Sequence, residues 1–476
     1  ANTINRARLC HSARMSTQPA EPQQQWRSIL SCAGDEKGGL ITAVEFDERG
    51  ETLAVGDKSG HVSLFQKDAT HGYTHGFRFR SHTPTLDPLK SLEIEERINM
   101  IKFVRGRSNG YYMLTTNDKV IKLWRIQKKR SALARRLSHS PNRLKSALLR
   151  SPGSSPKLGS SLPGPARVPP PSLGRRMEGK EGDMGGSERR KNDVKYAATT
   201  KREYAGAHAY HIHSISINSD NETFISLDSL RVNLWHLERD AQRFPIVDIK
   251  PKDMASLTEI VTSGTFHPDH CHTLMYTTSR GRMCLHDLRS SAILKEPAQK
   301  FEIAETLYPT KHFFSEVLTS ISDAKFTPGG RYVLSRDYVS LRLWDVNMER
   351  KPVEVFPVQT ELQDHLPILY QNNALFDRFQ CASSPDGNAF VTGSYSNQTI
   401  IQERKKGSAV TISAPPLTQR LNTQAMTVKV SPGTGNLDLG HTKFGEKVLL
   451  CAWHPKDDIV AVSGMTRLDV YERTKK

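Results

Sequence analysis

The sequence predicts an all-β chain: a seven-bladed β-propeller with loosely kept WD-type repeats, a projecting β-hairpin arm and a disordered insertion. Three observations predict it. One apolar phrase ending in Leu-Trp recurs, as "NDKVIKLWRI" (117–126), "DSLRVNLWHLE" (228–238) and "RDYVSLRLWDVNME" (336–349). Seven units share one order of short strand, Gly/Asp/Asn turn, apolar strand, turn and closing strand. No apolar run approaches the roughly eighteen residues of a membrane span, so no membrane partner is expected.

Residues 1–25 contain Arg and Ser, are nearly free of acids, and lack the apolar core of a secretory signal, so a disordered tail is expected before a propeller at 26–476. The units fall at 42–66, 99–126, 213–237, 262–289, 319–346, 376–404 and 447–473. A small antiparallel sheet cannot bury both of its faces alone, so the units must stack. Closing seven of them around an axis leaves only short edges. In "VSLRLWDV", Val339, Leu341 and Leu343 alternate with Ser340, Arg342 and Trp344. Both faces therefore carry bulk, as a blade between two neighbours requires, and the repeated Trp reads as packing between sheets.

The repeat is uneven. Phe65 to Trp124 spans 59 residues and Trp124 to Trp235 spans 111, against roughly 40–45 per unit in regular WD propellers. Three insertions take up the excess. The first, 67–97, ends "PLKSLEIEERIN" with Leu89, Leu92, Ile94 and Ile98 apolar among charges, the pattern of a hairpin arm. The second, 127–204, is rich in Pro, Ser and basic residues and is expected to be mostly disordered. Its Ser140-Pro141, Ser151-Pro152 and Ser155-Pro156 resemble proline-directed phosphorylation sites. The third, 405–444, reads as a polar loop.

The net charge of +17 is not spread over the fold. Residues 128–203 hold 19 Lys+Arg against 6 Asp+Glu, and residues 1–34 hold 4 against 1. The remaining chain is close to neutral, which argues against a basic groove built into the domain and against a nucleic-acid partner. The six cysteines are scattered without C-x-x-C spacing, consistent with free thiols in a reducing compartment and a cytoplasmic location, nuclear presence being also allowed.

Catalytic signatures are absent: no P-loop, G-x-S-x-G, H-E-x-x-H or dinucleotide fingerprint occurs. "FHPDHCH" places His267, His270, Cys271 and His272 together, but structural zinc wants paired ligand clusters separated by a loop. The repeat of His-Pro in "WHP" (453–455) marks a blade turn instead. No catalytic residue, cofactor or metal is expected.

Long phrases carry a more specific signal. "SLEIEERIN", "TNDKVIKLW", "AHAYHIHSISINSD", "RVNLWHLE", "VDIKP", "FFSEVLTSISDAKF", "GRYVLSRDY", "DVNMERKPVE" and "AWHPKDDIVAV" resemble the B-family 55-kilodalton regulatory subunits of protein phosphatase 2A. The resemblance implies a non-catalytic propeller. In that family a hairpin arm from blade two grips the helical-repeat scaffold subunit. The top face recruits phosphoprotein substrates toward the catalytic subunit. Here the arm maps to about 77–97, with Leu89, Leu92 and Ile94 as scaffold anchors. Substrate docking maps to Lys58, Tyr210, His211, Asp228, Met254, Leu257, Ile260, Phe313, Phe314, Tyr370 and Phe376, beside acidic Glu93, Glu95 and Glu96. "DMASLTEI" reads on its own as a short helix or turn presenting Met254 and Leu257, with Ile260 at further i, i+3 spacing. Pro88 replaces an aromatic usual in the family, while Ser229 and Asn373 stand where acids are common and imply a weaker preference for basic substrates. The alternative reading is a general WD-repeat adaptor or substrate receptor, RNA-associated through the basic insertion.

Overall fold

A computed structural model describes residues 26–33, 39–68, 72–87, 92–106, 111–129, 195–239, 242–303, 313–405, 407–414, 426–433, 437 and 442–474. Two compact units are distinguished, 127–197 and the remainder, and the latter holds all of the propeller but the ends of two blade-two strands. The expected disordered tail, residues 130–194 of the basic insertion, and Leu89 lie outside the described residues.

Seven antiparallel sheets follow one another along the chain. Blade one runs from Ile41–Phe46 to Gly72–Arg80, and blade two from Met100–Val104 to Lys195–Tyr204. Blade three spans Ser214–Ile217 to Arg243–Asp248, blade four Val261–Phe266 to Gln299–Glu302, and blade five Asp323–Phe326 to Glu354–Pro357. Blade six begins at Cys381–Ser383 and, past Ala409–Ser413, takes Lys429–Pro432 as a fifth strand. Blade seven joins the two ends of the chain: Trp26–Ala33 pairs with Arg467–Arg473, outside Val448–Trp453 and Ile459–Gly464. Each predicted unit supplies the inner three strands of one blade.

The Leu-Trp phrase is packing, as its alternation implies. Leu341 and Leu343 face Phe390 and Ile400 of blade six, while Trp344 packs with Met275 and Phe301 of blade four. The indole N–H, which costs free energy if buried unpaired, is satisfied the same way three times. Trp124 Nε1 donates to Thr115 Oγ1 at 3.1 Å, Trp235 Nε1 to Ser226 Oγ at 2.7 Å, and Trp344 Nε1 to Ser335 Oγ at 3.0 Å. The inner strands surround a channel of about 420 Å³, lined in part by the Lys102–Glu45 ion pair at 2.7 Å between blades two and one.

All three insertion boundaries are corrected, the second because 127–129 and 195–204 belong to the blade-two strands Ile121–Lys129 and Lys195–Tyr204. Gly72–Arg80 is the outer strand of blade one, so the hairpin is limited to Thr85–Asp87 paired with Leu92–Ile94. The third insertion is not simply a loop. Its Ala409–Ser413 and Lys429–Pro432 are strands of blade six, and Met426–Thr427 pairs with the strand Trp26–Ala33. One stretch therefore edges both blade six and blade seven, with Val428 buried between its two pairings.

Candidate functional site

In a four-stranded antiparallel blade, the turn between the second and third strands and the connection leading into the first lie at one end. Nearly all the predicted docking residues occupy such positions. Lys58 is in the blade-one turn, and Tyr210 and His211 are in the connector into blade three. Met254, Leu257 and Ile260 lie in the connector into blade four, Phe313 and Phe314 in that into blade five, and Tyr370 and Phe376 in that into blade six. The hairpin with Glu93, Ile94, Glu95 and Glu96 belongs to the connector into blade two. Backbone hydrogen bonds tie connectors to turns: Ile212 N–H donates to Asp118 O at 2.9 Å, and Val261 N–H to Ser229 O at 2.8 Å.

The most apolar part of this end is a platform built by residues 360–377. A 3-10 turn, Thr360–His365, runs into the helix Leu366–Gln371 with Pro367 in its first turn, where a missing N–H costs nothing. Leu362, Leu366 and Leu369 are buried, which turns Ile368 and Tyr370 outward. Asn373 stops the helix in the left-handed region at φ 53°, a conformation that Asn tolerates better than most residues. That gives a local reason for Asn at this position. Beyond it, Tyr370 and Phe376 are 49% and 59% exposed. Phe314, half-buried on the helix Phe313–Thr319, meets Tyr370 edge-on at 6.3 Å, and Tyr370 meets Phe376 edge-on at 6.2 Å. The backbone of Phe313 opens that helix, but its side chain lies outside the described ones.

On the neighbouring connector, Asp253 caps a single 3-10 turn, Met254–Ser256, by accepting from Ala255 N at 3.0 Å. Met254 is 44% exposed, while Leu257 and Ile260 are half-buried. The predicted three-residue apolar stripe is thus led by Met254 alone. Polar contacts frame the rest. His211 Nδ1 lies 2.7 Å from Asp118 Oδ2, whose carboxylate also accepts from Asn99 Nδ2 at 2.8 Å. Lys58 Nζ lies 3.9 Å from Glu95, and Glu93 is exposed beside it in sequence while Glu96 is half-buried.

The Drosophila melanogaster "Protein phosphatase PP2A 55 kDa regulatory subunit" is 35% identical over 486 residues, 99% of this chain and 91% of that protein. The chain belongs to the 55-kilodalton B family of protein phosphatase 2A regulatory subunits. A PP2A regulatory subunit from Schizosaccharomyces pombe is 38% identical over 94% of the chain and 98% of its own length. The Dictyostelium discoideum "Serine/threonine-protein phosphatase 2A regulatory subunit phr2AB" is 38% identical over 92% of the chain and 94% of its own length. No family model matches the chain. Among solved structures, the β-propeller domain of Myceliophteria thermophila Cps50 (Swd1) aligns with TM-score 0.53 at 15% identity, over 94% of this chain and all of that one, which shows the propeller fold alone. As a B-family member the chain is a non-catalytic regulatory subunit of a phosphatase.

Asp228 corrects the docking set inherited from the family pattern. It is 0% exposed and faces inward. His208 Nδ1 lies 2.9 Å from its Oδ2, and its Oδ1 accepts from Leu230 N and Arg231 N at 2.8 Å each. Burial works against its ionisation, but those hydrogen bonds outweigh it and hold the carboxyl below its usual range. His208 Nε2 in turn lies 2.6 Å from Ser226 Oγ. By distance this is a Ser-His-Asp series, yet Ser226 is sealed and also accepts from Trp235, so no substrate atom can reach the hydroxyl. The series braces blade three.

The hairpin also sits differently from the expected arm of blade two. The Thr85–Ile94 hairpin joins blades one and two, at the end that carries the docking residues, and is not an arm of blade two. Blade two has its own long outer pair, Ile121–Lys129 beside Lys195–Tyr204, the longest third and fourth strands in the propeller. Leu92 is in the hairpin, opposite Asp87, and Ile94 is half-buried opposite Thr85. Sequence reading missed Leu86, opposite Glu93 and 67% exposed, and Ile368 on the platform. No periodic pattern marks Leu86, whose neighbours two residues away on either side are Pro84 and Pro88. Among the described residues, no group of three or more His, Cys, Asp or Glu is arranged to hold a metal. In "FHPDHCH", His267 Nδ1 instead accepts from Asp269 N and His270 N at 3.1 and 3.0 Å, closing the turn.

Proposed function

We propose that this protein recruits phosphoprotein substrates through the propeller end that carries Tyr370 and Phe376, and delivers them to the catalytic subunit of protein phosphatase 2A on a helical-repeat scaffold. The observation that carries the reading is the aromatic run Phe314–Tyr370–Phe376, two of whose rings are left exposed on a braced support. Exposed rings of this kind receive the apolar side of a docked segment. Met254, Tyr210 and Leu86 extend the apolar surface, and Glu93 and Glu95 favour substrates with basic flanks by raising their association rate. Metal-assisted hydrolysis of the phosphate belongs to the catalytic subunit. The family's blade-two arm, which grips the scaffold, corresponds best to the outer pair Ile121–Lys129 and Lys195–Tyr204.

The test is steady-state dephosphorylation of a phosphoprotein by the reconstituted holoenzyme carrying Tyr370→Ala and Phe376→Ala together. A rise in KM of about tenfold or more is expected, since removing well-placed aromatic anchors typically costs roughly 2 kcal/mol or more. An unchanged KM contradicts the reading.

A further inference from the structure

Behind the aromatic platform lies a polar node that substrate docking itself does not use. Phe376 is followed by Asp377, whose side chain is 10% exposed. Its carboxylate pairs with Lys447, the residue before the inner strand of blade seven, through Oδ1. Its Oδ2 lies 3.1 Å from the hydroxyl of Tyr395, in the buried turn of blade six. The Tyr395 hydroxyl also lies 2.6 Å from Ala374 O, and the hydroxyl of Tyr338 of blade five approaches the Tyr395 hydroxyl at 3.1 Å. Further along, Gln380 N–H donates to Leu449 O at 2.9 Å and Ser322 Oγ to Phe379 O at 2.8 Å. Ala374, Leu375 and Phe379 are all buried. The stretch is held down on both sides of Phe376, whose ring is left facing solvent.

We propose that Asp377 is a positioning residue for substrate docking: clamped by Lys447 and Tyr395, it fixes the outward setting of Phe376 and couples the platform to blade seven. This rests on the docking reading above and adds a separable claim. A half-buried ion pair whose partners come from different blades holds one geometry better than an exposed pair, because neither side chain is free to exchange it for water. Asp377 does not touch the docked segment in this account. Its effect passes through Phe376.

The experiment uses the holoenzyme with a phosphoprotein substrate, with rates normalised to hydrolysis of p-nitrophenyl phosphate to count active catalytic subunits. Asp377→Asn keeps the size of the side chain and a partner for Tyr395 but removes the charge. It is expected to raise KM about five- to tenfold with the change falling on KM rather than kcat. Lys447→Met should do the same, and Lys447→Arg should restore most of the loss. Combined with Phe376→Ala, Asp377→Asn should add less than twofold, because both remove one contact. An unchanged KM for Asp377→Asn and Lys447→Met, or full additivity with Phe376→Ala, overturns the proposal; additivity would make Asp377 a docking charge in its own right. If Asp377→Asn fails to assemble, the Lys447→Met and Lys447→Arg pair decides. If Phe376→Ala has no effect on KM, the docking reading fails first, and that outcome is distinct from failure of Asp377 alone.

Discussion

The two ends of the propeller are built by different rules. At one end the described turns between first and second strands are short, and two of them make the same latch. His454 Nδ1 accepts from Lys456 N and Asp457 N at 3.1 and 2.8 Å, as His267 does in its own turn, while His454 Nε2 lies 3.2 Å from Gly50 O in the next blade. His267 sits against Gly330 of its next blade. At the other end the connectors differ in length and content, and carry a hairpin, two short helices, two 3-10 segments and the exposed aromatic run. Repetition among these turns closes a ring, and variety among the connectors makes a surface. The difference separates what stability requires from what recognition requires.

Substitutions at the latches should break the regular end. Gly50 and Gly330 have φ of 74° and 69°, and a Cβ at either would overlap the neighbouring imidazole. Gly50→Ala should therefore cost about 2–4 kcal/mol from backbone strain and overpacking together. Urea denaturation would report it as a lower midpoint at unchanged slope.

A smaller effect tests the reassignment of Asp228. Asp228→Ala leaves His208 buried without its partner and should lower stability by about 1–3 kcal/mol. KM for phosphoprotein should stay within about twofold, because the side chain never reaches the surface. A selective rise in KM at full stability would restore Asp228 to the docking set.

Acid should act on the blades through histidines kept neutral. Burial lowers His82 and His213 to about 3 and His286 to about 4, from 6.5. Burial also lowers His454 and His267. The unfolded chain takes up protons near 6.5 that the folded chain refuses, so stability is full above that value and declines as pH falls from about 6.5 toward 4. Each histidine still neutral at pH 5 contributes roughly 2 kcal/mol to the loss. Denaturant midpoints at pH 7 and pH 5 check the sign. A midpoint that rose on acidification would be incompatible with neutral buried imidazoles.

The smallest effect on stability belongs to the recognition end. Tyr370→Ala and Phe376→Ala, each already half in solvent, should change stability by less than about 1 kcal/mol while raising KM. That combination, measured by thermal melting beside kinetics, separates surface from support.

Legibility in the sequence follows the same division. The inner three strands of each blade were readable because period-two alternation and a recurring Trp report burial on both faces. The outer strands were not. Gln299–Glu302 buries only Phe301 of its four residues, so little of its pattern can report a sheet. Trp26–Ala33 is a strand because of Arg467–Arg473, more than 430 residues away. Asp228 misled because its partner His208 lies twenty residues upstream, with no local pattern to mark the pair. The aromatic run draws on residues 314, 370 and 376, and only the family resemblance brought them together before the fold did.

The division between the ends is tested most directly by cross-linking mass spectrometry of the holoenzyme with a bound phosphoprotein and a lysine-reactive reagent. Lys58 and Lys252 are exposed at the connector end, and Lys351 and Lys456 at the latch end. Substrate cross-links should concentrate on Lys58 and Lys252. Substrate cross-links concentrated on Lys351 and Lys456 would put recognition at the wrong end of the propeller and contradict the account.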